Sequence, residues 1–206
     1  MQSCRGVAPS AAHHRVASFW VGRRIRLRAM EPDDWGTIKR FYEELDYERS
    51  MNMLKPPRSA EEFRALVTRP TGIEEDGGSF RLAIEALGTG EMVGTVTAHG
   101  TDSRAGRFGF GVALGAGHRR QGYATEAAVI LLRFMFTERR CHRCEARIFA
   151  YNQASLALMR SLGFVEEGRL RDFAFIAGRY HDLLVMSMLE DEFAALHTRE
   201  RNAERD

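Results

Sequence analysis

Residues 125–137 constrain the fold more than any other part of this 206-residue chain. Wound at about 3.6 residues per turn, Ala128, Ile130, Leu131, Leu132, Phe134, Met135 and Phe136 leave apolar side chains on most sides of a helix. Such a helix has to be covered, so the chain needs a sheet beneath it and further elements around it. What precedes it is equally specific. Residues 108–114 read as a strand containing Gly109 and Gly111, and glycine inside a strand often marks a bulge or the close approach of a ligand. A short basic turn, Gly115-Ala116-Gly117-His118-Arg119-Arg120-Gln121-Gly122, joins that strand to the helix.

The other segments fill in the architecture. Ile25 and Leu27 alternate with Arg24, Arg26 and Arg28, which predicts a first strand near 23–29. Glu31-Pro32-Asp33-Asp34 suits a helix start, with acidic groups at the positive end of the dipole, and that helix is expected to run to about Leu45. Pro56-Pro57 breaks the chain. Ser59 and Glu62 stand at capping-box spacing ahead of a second helix, which Pro70 and Gly72 end. Residues 80–86 and 92–98 flank Gly88-Thr89-Gly90 as a hairpin. A strand at 145–150, a helix at 153–162 closed by Gly163, and a hairpin of 168–176 with 180–189 around Gly178 complete the order. The expected fold is mixed α/β (α+β), a mixed sheet with helices on its faces rather than the regular alternation of a doubly wound nucleotide fold. Residues 1–20 read as a flexible extension, 21–193 as one domain, and 194–206 as a charged tail that is helical and then frayed.

Composition serves mainly to exclude. Hydrophobic residues make up 44% and charged residues 28%, with a formal net charge of +2, as in ordinary globular chains. Arg23, Arg24, Arg26 and Arg28, the pair Arg119 and Arg120, and the pair Arg139 and Arg140 make locally basic patches that could serve a polyanion or simply face solvent. No nucleic-acid recognition motif accompanies them, so nucleic acid is not an expected partner. No window of about 18 apolar residues is present, so no membrane helix is expected. Cys4, Cys141 and Cys144 are odd in number, which argues against a disulfide framework and for a cytoplasmic setting. Cys141-His142-Arg143-Cys144 is a lone C-x-x-C without the second pair that zinc needs, so no metal is expected.

The basic turn carries the chemistry. The first N–H groups of the following helix have no partner in the helix, and its dipole adds positive potential, which together suit a phosphate. Gly122 lets a ligand approach the backbone, and Arg119 and Arg120 can add charge-assisted bonds. The P-loop pattern is absent; the spacing is R-x-x-G-x-A, from Arg119 through Gly122 to Ala124. Here the chain resembles the GNAT acetyltransferase superfamily, whose motif is [QR]-x-x-G-x-[GA]. The continuation Gly122-Tyr123-Ala124-Thr125-Glu126-Ala127 is similar to the RimJ/RimL-type branch, which includes ribosomal-protein N-terminal acetyltransferases. Asn152-Gln153-Ala154-Ser155, then Leu162-Gly163-Phe164, then Glu167-Gly168, and finally Gly178-Arg179-Tyr180-His181-Asp182, resemble further blocks of that branch. The likeness covers roughly residues 23–193.

The resemblance implies a strongly twisted sheet of about seven strands and a set of roles. Acetyl-CoA would be the cosubstrate. Val112, Ala113 and Leu114 would pair with its pantetheine arm, one N–H there polarising the thioester carbonyl. Arg119, Arg120, Gln121, Gly122, Tyr123 and Ala124 would hold the pyrophosphate. Asn152 would bond the pantetheine, act as a helix N-cap, or both. Many members carry a tyrosine acid four residues before the glycine of L-G-F; this chain has Met159 there, which leaves Ser155 as the group for the departing sulfur, or as a serine bonded to its own backbone. The branch's glutamate position falls at Ala174. For the base, Asp172, Glu85, His99, Asp182 or a water chain stay open. Met51, Met53 and Leu54 could line the acceptor groove or the core. The acceptor is expected to be a primary amine, either a protein N-terminus or a small molecule such as an antibiotic, polyamine or amino acid. A non-catalytic acetyl-CoA-binding module is the rival class. A homodimer is compatible with the chain but not required by it.

Overall fold

A computed structural model of the chain describes residues 18–44, 54–68 and 78–197. Seven strands form one sheet in the order β1-β2-β3-β4-β5-β7-β6. They are β1 (Ile25–Arg28), β2 (Phe80–Ala86), β3 (Met92–Asp102), β4 (Arg107–Leu114), β5 (Arg143–Phe149), β6 (Val165–Ile176) and β7 (Arg179–Leu189). Among the described residues five α-helices accompany them: α1 (Trp35–Glu43), α2 (Ala60–Thr68), α3 (Tyr123–Thr137), α4 (Gln153–Leu162) and α5 (Glu190–His197). All neighbouring strands are antiparallel except β4 and β5.

Each face of the sheet has its own core. On one face Ile84, Val96, Ala98, Phe108 and Phe110 pack with Ala128, Leu131, Leu132 and Met135 of α3 and with Leu156, Met159 and Leu162 of α4. Seven residues of α3 are buried, as its apolar circumference demands. On the other face Ala83, Met92 and Ala113 meet Ile38 and Phe41 of α1 and Phe63 and Val67 of α2. Period-two alternation along β2 to β4 sends side chains to both cores.

The local signals act largely as expected. Ser59 and Glu62 make both bonds of the capping box, at 2.7 and 3.1 Å. The Asn152 side chain caps α4, and Gly163 ends it at φ +97°. Some boundaries differ. The segment after Glu31 opens as a 3-10 turn over Pro32–Asp34 before α1, which ends at Glu43; Leu45 lies outside the described residues, as do Pro70 and Gly72. β6 starts at Val165 and is kinked by two register shifts, so it lacks a clean alternation for a sequence to display. Phe19 and Trp20, within the expected extension, pack edge-on and tilted against Phe134 of α3, and Leu27 N–H donates to the Trp20 carbonyl at 2.8 Å.

Candidate active site

β4 and β5 are parallel neighbours that pair over three positions, Arg107, Gly109 and the residue between them against Arg143, Cys144 and Glu145. Beyond Gly109 and Glu145 they part. The bonding edge of residues 110–114 facing β5 is therefore open, while their other edge stays paired to β3. A cleft of about 640 Å³ occupies the gap. Both strands run toward its mouth, and each feeds a helix there: β4 leads through the basic turn to α3, and β5 leads through Asn152 to α4. Each strand thus leads to the positive end of a helix, that of α4 at the cleft itself.

The turn before α3 is shaped for an anion. Arg120 has φ +61° and Gly122 has φ +81°, two left-handed residues flanking Gln121, a pattern that turns successive N–H groups to one side. The N–H groups of residues 120–125 bond no protein acceptor among the described residues; Glu126 is the first to close a helical bond, to the Gly122 carbonyl. Their shape is held from the segment that leads into β1. Arg24 donates to the Gln121 carbonyl at 3.0 Å, and a Cβ on Gly122 would stand 2.4 Å from its Nη1. The Glu126 carboxylate accepts from the N–H groups of Arg23 and Arg24. Gly22 makes room for that carboxylate, because a Cβ there would lie 1.9 Å from Oε1. Gln121 bonds the Gly117 carbonyl at 3.2 Å, and Arg119 leans toward the Leu114 carbonyl at 3.5 Å. Orphan amides, a left-handed glycine and nearby guanidinium groups are what a diphosphate requires. The residues present fit the cosubstrate.

Within the cleft the structure brings together Val112, Ala113, Asn152, Ser155 and Met159. Leu114 is not among the lining residues; it packs over Gly94 and the core. Residues 119–124 stand apart at the head of α3. Ser155 N–H donates to Asn152 Oδ1 at 3.1 Å, while its hydroxyl has no hydrogen bond among the described residues. Met159, one turn on, is almost fully buried against the core.

Of the groups weighed as base, the geometry keeps His99 at the site. Glu85 is held by Arg26 at 2.7 Å and by Arg28 at 2.6 Å, within a network that also joins Arg28 to the buried Asp34 at 2.8 Å. Asp182 accepts from the Asp172 N–H at 3.0 Å and pairs with Arg169, on the outer hairpin of β6 and β7, and Asp172 shares that hairpin. Neither of these two lines the cleft. His99 does. Its imidazole lies over Gly109, where a Cβ would come within 2.4 Å of Cε1. Desolvation on the strand surface lowers its pKa below the ordinary imidazole value, partly opposed by a bond to the Phe110 backbone. Gly109 pairs with His99 on one side and with Glu145 on the other, which puts imidazole and carboxylate in one row of the sheet. Glu145 also lines the cleft, and Arg143 donates to it at 3.1 Å. Sequence reasoning missed Glu145, since its role depends on a parallel register that no local pattern reveals.

Leu54 is exposed and does not line the cleft, and Met51 and Met53 lie outside the described residues. Cys141 and Cys144 are buried, unbridged thiols whose pKa values desolvation pushes up, so they stand as protonated core groups. Among the described residues no group of three or more His, Cys, Asp or Glu is placed to hold a metal, and no helix is long and apolar enough to cross a membrane.

Comparison with known proteins agrees with this geometry. Residues 24–165 match the acetyltransferase (GNAT) domain family. The chain is 32% identical over 184 residues to the SPbeta prophage-derived uncharacterized N-acetyltransferase YokL of Bacillus subtilis, covering 88% of this chain and 99% of that one. It is 30% identical over 171 residues to the uncharacterized N-acetyltransferase p20 of Bacillus licheniformis, covering 83% and 96%. In fold it is similar to the spermidine N-acetyltransferase of Vibrio cholerae crystallised with CoA and spermine, at a TM-score of 0.72 and 24% identity over 82% of this chain and 97% of that one. A splayed parallel strand pair, an anion-binding turn at the head of a buried helix and a match over most of the chain lead to one assignment: this chain belongs to the GNAT acetyltransferases and uses acetyl-CoA to acetylate an amine nitrogen.

Proposed function

We propose that the protein transfers acetyl directly to a primary amine held in the cleft between β4 and β5, with no covalent enzyme intermediate. The open edge at residues 110–114 carries this reading, because an extended pantetheine arm can pair there as an added strand. One N–H within Val112 to Leu114 stabilises negative charge on the carbonyl oxygen, and the amides of Arg120 to Ala124, with the Arg119 and Arg24 guanidinium groups, take the diphosphate. His99 takes a proton from the acceptor's ammonium so that the neutral amine attacks the thioester carbonyl, and its lowered pKa keeps the imidazole unprotonated near neutrality. The new N–C bond forms as the C–S bond breaks, and the Ser155 hydroxyl donates to the departing sulfur, since Met159 cannot. Asn152 fixes the helix end that presents Ser155.

The motifs shared with the RimJ/RimL-type branch support a protein N-terminal amine as acceptor and a cytoplasmic setting, with which two unbridged thiols agree. The fold likeness to a spermidine N-acetyltransferase supports a small-molecule amine as the second reading. Thiol release from acetyl-CoA with a panel of peptides and small amines tests both. Acceptor-dependent thiol is expected. Tight acetyl-CoA binding without thiol release from any amine in a broad panel refutes the catalytic reading.

A further inference from the structure

The acceptor side of the cleft has a charge pattern that the transfer chemistry does not use. Among the described residues, Arg81 of β2, Arg107 of β4 and Arg147 of β5 line it, against one carboxylate, Glu145, which Arg143 already engages. Arg107 has a loose partner in Asp102 at 3.5 Å. Arg81 and Arg147 have no ion-pair or hydrogen-bond partner among the described residues, and Arg81 Nε is buried with its bonding capacity unused. A guanidinium N–H without a protein acceptor is costly unless water or a ligand meets it, and beside a ligand cleft it is available to an acceptor on the ligand.

Register locates Arg81 relative to the chemistry. Arg81 pairs with Thr97, and Thr97 with Gly111 at the open edge of β4. The next row on this face is His99, Gly109 and Glu145. Same-face rows are about 7 Å apart along a strand, and strands about 5 Å apart across the sheet. A small molecule can thus place an ammonium near His99 and Glu145 and an anion on Arg81.

We infer that the acceptor amine carries a carboxylate, which Arg81 receives, and that Arg81 sets the site against polycations; this rests on the acetyl transfer proposed above. A planar guanidinium matches a carboxylate with two parallel bonds. A polyamine would instead bring further positive charge to a wall where, among the described residues, three arginines face one shared carboxylate.

The test compares matched acceptors by kcat/KM from thiol release: glycine with glycinamide, β-alanine with β-alaninamide, 4-aminobutyrate with 4-aminobutanamide, and peptides beginning Asp or Glu with those beginning Asn or Gln, beside spermidine. In at least one pair the carboxylate member is expected to exceed its amide by about tenfold or more, with spermidine below it. Arg81→Gln is expected to erase that preference through KM for the carboxylate member, and Arg81→Lys to restore part of it; titration with acetyl-CoA reports whether each variant is folded. Equal rates within every pair, spermidine ahead of every carboxylate, or an Arg81→Gln loss shared equally by acids and amides overturns the inference while leaving an N-acetyltransferase in place. If no amine releases thiol, the transfer reading fails, and calorimetry of 4-aminobutyrate against 4-aminobutanamide on CoA-loaded protein decides the site: preference for the acid supports an anion subsite, and no preference overturns it.

Discussion

Replacing Gly122 by Asp should cripple acetyl-CoA binding, and two parts of the loss can be separated. The first is conformational. Gly122 sits at φ +81°, where any L side chain costs about 1–2 kcal/mol. Its Cβ would also meet Arg24 Nη1 at 2.4 Å and push aside the guanidinium that braces the turn. Gly122→Ala carries this part alone. For a domain of this size each kcal/mol lowers Tm by about 2–4 °C, so the alanine variant should melt roughly 2–8 °C early. The second part is charge. A carboxylate about 5 Å from a phosphate, at an effective dielectric constant near 20, repels it by about 3 kcal/mol. That is about a hundredfold in Kd for each phosphate charge at that distance. Isothermal titration with acetyl-CoA on both variants reads the difference. The expected order is wild type, then alanine with a loss of about tenfold, then aspartate with a further loss of a hundredfold or more. An aspartate variant that is folded by circular dichroism and binds within threefold of wild type would refute the phosphate assignment of this turn.

Other outcomes follow from the same geometry. Ser155→Ala should lower kcat by about tenfold while changing acetyl-CoA affinity less than threefold, because Ser155 lines the cleft and its hydroxyl is uncommitted among the described residues; unchanged turnover removes Ser155 from the mechanism. The acid limb of kcat/KM should lie below about pH 6.5, the ordinary imidazole value, because desolvation lowers the His99 pKa. His99→Gln should abolish that limb and reduce kcat by about a hundredfold; a limb that persists in the variant assigns it to another group. The same depressed pKa means that the stability His99 contributes is present above about pH 6.5 and lost as pH falls through the folded value. Asp34→Ala should destabilise the fold by about 2–3 kcal/mol in urea titrations, since it strips the buried end of Arg28 while Glu85 still holds the other; a change under about 0.5 kcal/mol contradicts the network's structural role.

How much of this could be seen in the chain depended on whether the determining contact was local. Asn152, Ser59 with Glu62, and Gly163 act within a few residues, and their helix ends stood where local chemistry put them. The apolar circumference of α3 called for burial on many sides, and the sheet with its helices supplies it. The brace from Arg24 to Gln121 and the latch from Glu126 to the backbone of Arg23 and Arg24 join residues about a hundred positions apart, so the arginine cluster showed charge without showing its use. His99 was one base candidate among four until the antiparallel register laid it over Gly109, while Glu85 fell away once two arginines were seen to occupy it. Glu145 was invisible for the same reason: its neighbour across the parallel seam is set by topology alone.

That seam has a thermodynamic consequence. Three residue pairs stitch the first four strands to the last three, and past them the sheet is split like the jaws of a clothes-peg. A thioester arm bridging the jaws supplies the missing rungs of the ladder, so the cosubstrate is also mortar. Its binding energy enters directly into the unfolding free energy, by RT ln(1 + [L]/Kd). Resistance of the protein to heat and proteolysis should therefore track the acetyl-CoA level around it, and an empty molecule should begin to open along this line.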